Sequence, residues 1–294
     1  MDPNKRIIVA LDVPTVGEAL KLAGLLGTHV GGSKVGLELI NTILYELLFH
    51  GALIDFPKLG AALPMGCDKR INYDALHEIR KPQGLFQILK GECFWDGKFK
   101  DIPNTVAAVS RVVTKIGVKM FNVHVLGGPA MMKAAVEAAK SEAEIQKCPR
   151  PLVLGVTILT SLKSEDLIQI GFPFKVIKCT SDGEIDLAEC DVKAIVCNLA
   201  KLAKISGLDG VVCSPQEIEL VREACGPDFL IVTPGIRSAD DPPDDQGRTL
   251  PAGEAIRRGA DYLVIGRPIT KAADPVEAAK RIADEINTAM EGGK

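Results

Sequence analysis

Apolar residues in this chain gather in short, nearly continuous runs that alternate with segments of helical periodicity. Unbroken apolar runs are typical of strands in a parallel sheet, because such strands are buried on both faces. The runs predict eight strands, at 6–12, 32–36, 92–98, 119–125, 152–159, 210–213, 229–232 and 262–265. Eight segments with a helical period follow them, at 16–26, 39–49, 104–116, 129–144, 192–206, 215–224, 253–258 and 275–290.

Eight consecutive strand–helix units predict an α/β fold, the (β/α)₈ barrel, whose sites lie at the C-terminal ends of the strands. A doubly wound open sheet is the alternative, but Asp12-Val13-Pro14 stands where its glycine fingerprint would follow the first strand. We expect one barrel domain over residues 1–294. Two segments, 51–91 and 163–191, exceed what the barrel needs and are expected to be insertions, the first with a short helix around 73–79.

Composition narrows the function mainly by exclusion. The net charge is −3 and charges are scattered, so neither a nucleic-acid footprint nor a polybasic membrane patch is present. No apolar run reaches the roughly 18 residues of a membrane span, and the N-terminus does not resemble a signal peptide. The 8 cysteines include no CxxC pair, which favours free thiols and a cytoplasmic setting.

Polar side chains stand where the predicted strands end. These are Asp12, Lys34, Asp96, Lys98, His124, Thr160, Ser161, Ser214, Arg237 and Arg267, and Pro234 and Gly266 follow the last two strands. Any one of them could be an ordinary polar rim residue. Four charges of mixed sign in one barrel mouth, Asp12, Lys34, Asp96 and Lys98, instead predict a functional site with coupled ionisations.

The segment 92–98 carries the strongest signal. Alternation along a strand places Phe94, Asp96 and Lys98 on one face. Desolvating opposite charges at a buried strand end can cost more than their attraction returns, so stability alone does not explain the pair. The alternative is a structural ion pair, with Asp101 capping the helix that follows.

The last two strands are followed by loops that grip phosphate in many barrels of this kind. Gly266 allows backbone N–H groups to approach an anion, and Arg267 can donate to two phosphate oxygens. The turn at 233–237 contributes Pro234 to the same end of the barrel. The loop 238–248, rich in Asp and Pro and carrying Gln246, has the composition of a mobile lid.

Taken together, these motifs resemble the orotidine 5′-phosphate decarboxylase family. The matching segments are 10–13, 34–36, 96–105 (Asp-Gly-Lys-Phe-Lys-Asp-Ile-Pro-Asn-Thr), 154–162, 210–214, 233–237, 245–248 and 266–269. They cover seven of the eight predicted strand ends in order. Family members often carry His in place of Lys100 and a bulkier apolar residue in place of Gly97, departures that concern local packing rather than chemistry.

The resemblance implies decarboxylation of orotidine 5′-phosphate to UMP in pyrimidine biosynthesis, with no cofactor and no metal. It implies that Lys98 delivers a proton to C6 of the ring and that Asp96 stands against the substrate carboxylate. Lys34 would brace Asp96 and, with Asp12, hold ribose hydroxyls.

The resemblance also implies a homodimer and a set of binding residues. Asp101, a further catalytic residue, would reach into the partner's site with Ile102 and Thr105 beside it. The remaining substrate-binding residues would be Ser161 at the pyrimidine edge, Gln246 between base and phosphate, Arg267 and Gly266 at the phosphate, and Pro234.

Two rival functions remain. A related barrel, a Mg²⁺-dependent sugar-phosphate decarboxylase or aldolase, shares the Asp-x-Lys-x-x-Asp motif but needs an acidic metal ligand from the second strand, where Lys34 stands. A Schiff-base aldolase that uses Lys98 is also an enzymatic alternative, but it is disfavoured because Asp96 stabilises the charged form of a neighbouring amine.

The second rival belongs to a different class of function: a catalytically inactive barrel that only binds nucleotides.

Overall fold

Eight parallel strands close into a barrel in a computed structural model that describes residues 1–46, 85, 87–89, 91–179, 185–237 and 249–292. The strands are β1 (Ile7–Ala10), β2 (Gly32–Gly36), β3 (Cys93–Phe99), β4 (Met120–His124), β5 (Leu152–Val156), β6 (Lys175–Cys179), β7 (Ile185–Glu189), β8 (Gly210–Val212), β9 (Leu230–Thr233) and β10 (Tyr262–Ile265). Around the barrel their order is β1-β10-β9-β8-β5-β4-β3-β2, and β6 and β7 form a separate antiparallel pair.

Helices follow every barrel strand, which confirms the predicted (β/α)₈ fold. They are α1 (Val16–Leu26), α2 (Leu37–Glu46), α3 (Pro103–Ile116), α4 (Pro129–Gln146), α5 (Ser164–Gln169), α6 (Val192–Ile205), α7 (Ile218–Cys225), α8 (Ala252–Arg257), α9 (Arg267–Thr270) and α10 (Pro275–Glu291). No helix in the described parts of the chain is both long enough and apolar enough to cross a membrane.

Alternation along each strand divides the core into two layers. Along β1, Ile7 and Val9 belong to the layer between strands and helices, whereas Ile8 and Ala10 belong to the barrel interior. The interior layer comprises Ile8, Ala10, Phe94, Met120, Leu154, Val232, Tyr262 and Val264. Fully burying one such large side chain contributes roughly 1.5–3 kcal/mol. Two residues beyond Ala10, Phe94 and Met120 stand the polar residues Asp12, Asp96 and Asn122, so the same alternation places polar groups at this end of the barrel.

The two expected insertions differ in how much of them the structure describes. The segment 163–191 contains α5 and the β6–β7 hairpin, in which Lys175 pairs with Glu189. Of the segment 51–91, the described Leu85 and Leu89 are helical, and both are buried in the layer between strands and helices. The helix expected around 73–79 lies outside the described residues, and the single-domain organisation stays a prediction.

Several element boundaries differ from those predicted. Strand β5 ends at Val156 rather than at residue 159. The helix expected at 215–224 begins as a 3₁₀ turn, because the Ser214 hydroxyl accepts a hydrogen bond from the Gln216 N–H and α7 starts only at Ile218. The short helix α9 after β10 was not predicted.

Candidate active site

A cavity of about 460 Å³ opens at the C-terminal ends of the barrel strands. Its volume lies in the range of small-molecule sites, roughly 300–1,000 Å³. The interior residues Ala10, Phe94 and Val264 line it together with a polar wall. The predicted site residues in that wall are Asp12, Lys34, Asp96, Lys98, Pro234, Gly266 and Arg267. The structure therefore brings together residues from five strand ends that are far apart in sequence.

Lys34 joins two carboxylates at one side of the cavity. Its Nζ lies 2.9 Å from Asp12 Oδ1 and 3.3 Å from Asp96 Oδ2. The Lys34 side chain is 11% exposed, whereas that of Asp12 is 50% exposed. The ammonium group is therefore held on the cavity wall, and Asp12 keeps open surface toward the cavity.

Because Gly36 has no side chain, the Lys34–Asp12 ion pair can occupy the space next to it. It lies two residues beyond Lys34 on the same face of β2. A Cβ at this position would come within 2.8 Å of Lys34 Nζ and 3.0 Å of Asp12 Oδ1. A side chain here would therefore displace the charged groups themselves.

Lys98 pairs with the other oxygen of the Asp96 carboxylate. Its Nζ lies 2.7 Å from Asp96 Oδ1, and its side chain is 31% exposed. The residue has φ 46°, in the left-handed region that non-glycine residues seldom adopt. The predicted pairing of Asp96 and Lys98 is present, but regular strand alternation does not account for it, because the backbone leaves the extended conformation at Lys98.

Asp96 is buried between these two ammonium groups, with its side chain 10% exposed. Burial alone would raise the pKa of its carboxyl group. The positive charges of Lys34 and Lys98, with hydrogen bonds from Lys98 and Asn122, outweigh burial and hold the pKa below its ordinary value. The carboxylate is therefore ionised at neutral pH, and it faces the cavity.

Asn122 is a site residue that the sequence analysis missed. It is fully buried on β4, and its Nδ2 donates a 2.7 Å hydrogen bond to Asp96 Oδ1. Its Oδ1 accepts a 2.7 Å hydrogen bond from the Lys98 backbone N–H. The signal was present in the sequence, since Asn122 is the polar residue two positions beyond Met120, on the face that lines the barrel interior.

The opposite side of the cavity offers cationic side chains and two glycines, Gly235 and Gly266. Arg237 and Arg267 line it, and Lys271, which follows α9, adds a third basic side chain. Gly235 has φ 77°, a conformation that favours glycine, and it shapes the turn beside Pro234. This side therefore has the charge needed to hold an anion.

Ser161, Ser214 and His124 are not among the described residues that line the cavity. Ser161 is exposed, and its neighbour Thr160 lines the wall instead. Gln246 and the expected lid 238–248 lie outside the described residues. His124 is half-buried at the end of β4, where burial and then the charges of Lys100 and Lys98 lower its pKa. Neutral imidazole is therefore its form at pH 7.

The segment from Asp101 to Thr105, which begins three residues after the cavity-lining Lys98, is exposed. Ile102 is 66% exposed, and the Asp101 carboxylate accepts a 2.7 Å hydrogen bond from its N–H. The N-cap of α3 is Ile102, without a side-chain cap. The alternative that Asp101 caps this helix is therefore wrong.

Local packing explains why a glycine, rather than a bulkier apolar residue, stands at position 97. A Cβ there would lie 2.5 Å from the ring of Phe99, which packs on Phe121 with ring centroids 6.0 Å apart. Phe99 thus fills the space that a larger residue at position 97 would use.

In the part of the chain that the structure describes, no group of three or more His, Cys, Asp or Glu side chains is arranged to hold a metal ion. Among the described residues, the carboxylates that line the cavity are those of Asp12 and Asp96, and they already share the Lys34 ammonium group. A divalent cation would have to displace Lys34 to bind both.

Comparisons with known proteins agree with this geometry. The profile of the "Orotidine 5'-phosphate decarboxylase / HUMPS family" matches residues 5–282. Orotidine 5′-phosphate decarboxylases of Syntrophomonas wolfei and Moorella thermoacetica are both 42% identical over 286 residues, covering 97% of this chain and 99% and 94% of theirs. The crystal structure of the Lactobacillus acidophilus enzyme of that name is 30% identical, with a TM-score of 0.63, and the match covers 96% of this chain and 98% of that one. The chain belongs to the orotidine 5′-phosphate decarboxylase family.

Proposed function

We propose that this protein decarboxylates orotidine 5′-phosphate to UMP without a cofactor, in the biosynthesis of pyrimidines. The observation that carries the proposal is the ionised Asp96 between the ammonium groups of Lys34 and Lys98, 3.3 and 2.7 Å away, in a cavity of ligand size. Relatives that bear the name orotidine 5′-phosphate decarboxylase and align over nearly the whole chain support the same substrate.

The chemistry follows from these charges. Breaking the bond between C6 and the carboxyl group leaves an electron pair on C6, which the pyrimidine ring does not delocalise. In this proposal the substrate carboxylate lies against Asp96, so that like charges repel until carbon dioxide leaves. The Lys98 ammonium group stabilises the developing carbanion and then transfers a proton to C6.

Binding groups far from C6 complete the proposed site. Asp12 and Lys34 would hold the ribose hydroxyls, and the Gly266 backbone and Arg267 would hold the phosphate. The base would lie between Pro234 and the 160–161 segment, with Ser161 at its edge and Gln246 bridging base and phosphate. Energy from the phosphate contacts can then offset the unfavourable placement of the substrate carboxylate against Asp96.

The Mg²⁺-dependent sugar-phosphate chemistry of related barrels fits this cavity less well. That chemistry needs carboxylates that are free to bind a cation. Here Asp12 and Asp96 both lie within 3.3 Å of Lys34 Nζ. The metal-free decarboxylation is therefore the function that we propose.

A decarboxylation assay with orotidine 5′-phosphate, followed by ultraviolet absorbance with and without EDTA, tests this proposal. We expect turnover that EDTA does not reduce, loss of turnover in Lys98→Ala, and retained turnover in Lys100→Ala, the exposed lysine at the same strand end. A Lys98→Ala variant that folds and keeps its activity would refute the role of Lys98. Dependence on Mg²⁺ would favour the rival chemistry.

We further propose that the protein is a homodimer in which Asp101, Ile102 and Thr105 complete the partner's site. The exposure of this segment, a few residues after Lys98 in the chain, supports that arrangement, because a 66% exposed Ile102 would gain burial from a second subunit.

Mixing two inactive variants tests shared sites. Lys98→Ala and Asp101→Ala subunits that exchange freely should regain about one quarter of the wild-type activity, because half of the dimers are hybrids with one intact site each. If Asp101 acts within its own chain, no hybrid site contains both residues, and mixing restores nothing.

A further inference from the structure

The pairing between β3 and β4 is irregular where the charged residues stand. Trp95 pairs with Phe121, but the next partners are Phe99 and Val123. Four residues of β3 therefore span the same distance as two residues of β4, and the regular ladder is interrupted around Asp96 and Lys98. Such bulges redirect side chains next to active sites, but the interrupted backbone groups need other hydrogen-bond partners.

Asn122 supplies the missing partner. Its Oδ1 accepts the hydrogen bond of the Lys98 N–H at 2.7 Å, at the residue whose φ is 46°. A backbone N–H can only donate, so this contact fixes which end of the amide group is the oxygen. The Nδ2 is consequently directed at Asp96 Oδ1, 2.7 Å away, where it also donates. Because Asn122 is fully buried, water does not replace either contact.

The neutral amide suits this place for an electrostatic reason. Asp96 Oδ1 receives donors from both Lys98 Nζ and Asn122 Nδ2, each at 2.7 Å. The amide therefore favours the ionised carboxylate without adding a charge to the cavity. An apolar side chain would leave the Lys98 N–H without an acceptor, and an acidic one would repel Asp96.

We infer that Asn122 is a positioning residue for the proposed decarboxylation: one amide group holds the Lys98 backbone in its left-handed conformation and orients the Asp96 carboxylate against the Lys98 ammonium group. The inference rests on the proposed function, and it adds a residue that acts on the proton donor through the backbone. Asn122 itself does not line the cavity.

Three variants test this role, with kcat, KM and thermal unfolding measured on folded protein. Asn122→Ala removes both contacts, and we expect kcat to fall roughly tenfold to a hundredfold, the effect of losing a hydrogen bond to a charged group. KM should change less, because the groups proposed to bind the phosphate lie across the cavity. If Asn122→Asp does not fold, Asn122→Ser is the second variant, and we expect its kcat to fall less than that of Asn122→Ala.

The pH dependence of kcat in Asn122→Asp distinguishes a positioning role from a purely structural one. The introduced carboxyl group can still accept the hydrogen bond from the Lys98 N–H. When ionised it repels Asp96, and this repulsion raises the pKa of the introduced group. When protonated it can donate to Asp96 as the amide does. We therefore expect the kcat of Asn122→Asp, relative to wild type, to rise as the pH is lowered, and that of Asn122→Ala to show no such rise.

Thr114→Val serves as the matched control. Thr114 is also buried and donates a 2.8 Å hydrogen bond, to Ser110 O in α3, away from the cavity. We expect it to lose some stability and to keep its kcat. Active wild-type protein with Asn122 variants of unchanged kcat would overturn the inference and leave the proposed function intact. An inactive wild-type protein would remove both.

Discussion

Replacing Asp96 by Asn removes one negative charge from the centre of the site and keeps the shape of the side chain. The wild-type carboxylate lies 2.7 Å from Lys98 Nζ and 3.3 Å from Lys34 Nζ. A pair of charges about 4 Å apart attracts by about 4 kcal/mol at an effective dielectric constant near 20. Desolvation of the carboxylate offsets part of this attraction, and breaking a buried pair costs about 3–5 kcal/mol.

We expect the lower end of that range for Asp96→Asn, about 3 kcal/mol. Lys34 keeps Asp12 as a partner at 2.9 Å, and the 31% exposed Lys98 side chain can turn toward water. For a chain of 294 residues the loss corresponds to a fall in Tm of about 5 °C. Thermal unfolding at pH 7 measures it, and turnover should fall at least about a hundredfold in the same variant.

The pH dependence gives a second test. The pKa of Asp96 is lowered in the folded state, so its ionisation stabilises the protein above the unfolded-state pKa of about 4, and this stabilisation is lost as the pH falls through the folded-state pKa. The stability difference between wild type and Asp96→Asn should therefore be largest above about pH 5 and shrink in acid. Equal stabilities at pH 7, or a difference that does not change with pH, would refute the account of Asp96 as an ionised centre.

Two further substitutions probe the remaining parts of the site. Arg267→Ala should raise KM for the phosphate substrate roughly tenfold to a hundredfold, as expected for a lost charge-assisted contact, and steady-state kinetics with unchanged KM would remove Arg267 from the site. Gly36→Ala should lower kcat/KM about tenfold or more, because its Cβ displaces Lys34 Nζ and Asp12 Oδ1. Its Tm should change little, since the displaced atoms are flexible side-chain ends. In the control Gly17→Ala, where no atom lies within 4 Å of the added Cβ, the activity should be unchanged.

The barrel was predictable because its strands are apolar on both faces and its helices are amphipathic. Those patterns fix which segments become strands, and the fold then places their C-terminal ends around one cavity. Asp12, Lys34, Asp96 and Lys98 were found by this reasoning before any distance was known. Gly266 and Arg267 were found in the same way, from the loop after the last strand, and both line the cavity.

What the sequence did not predict depends on backbone geometry. The left-handed conformation of Lys98 arises from the bulge between β3 and β4, and alternation applies only to a regular strand. Asn122 was missed because a single polar residue within an apolar strand has many explanations until its partners are known. The β6–β7 hairpin was missed because its segment carries no strong alternation, and its strands pair with each other rather than with the barrel.

The most direct test of the central claim is the reaction of the wild-type protein with orotidine 5′-phosphate in D₂O containing EDTA. Nuclear magnetic resonance of the product reports both the amount of UMP and the isotope at C6. We predict that turnover with EDTA equals turnover without it. Because the Lys98 ammonium protons exchange with solvent, we also predict that the UMP carries deuterium at C6. Absence of UMP, or turnover that disappears on chelation, would contradict decarboxylation by Asp96 and Lys98 without a metal.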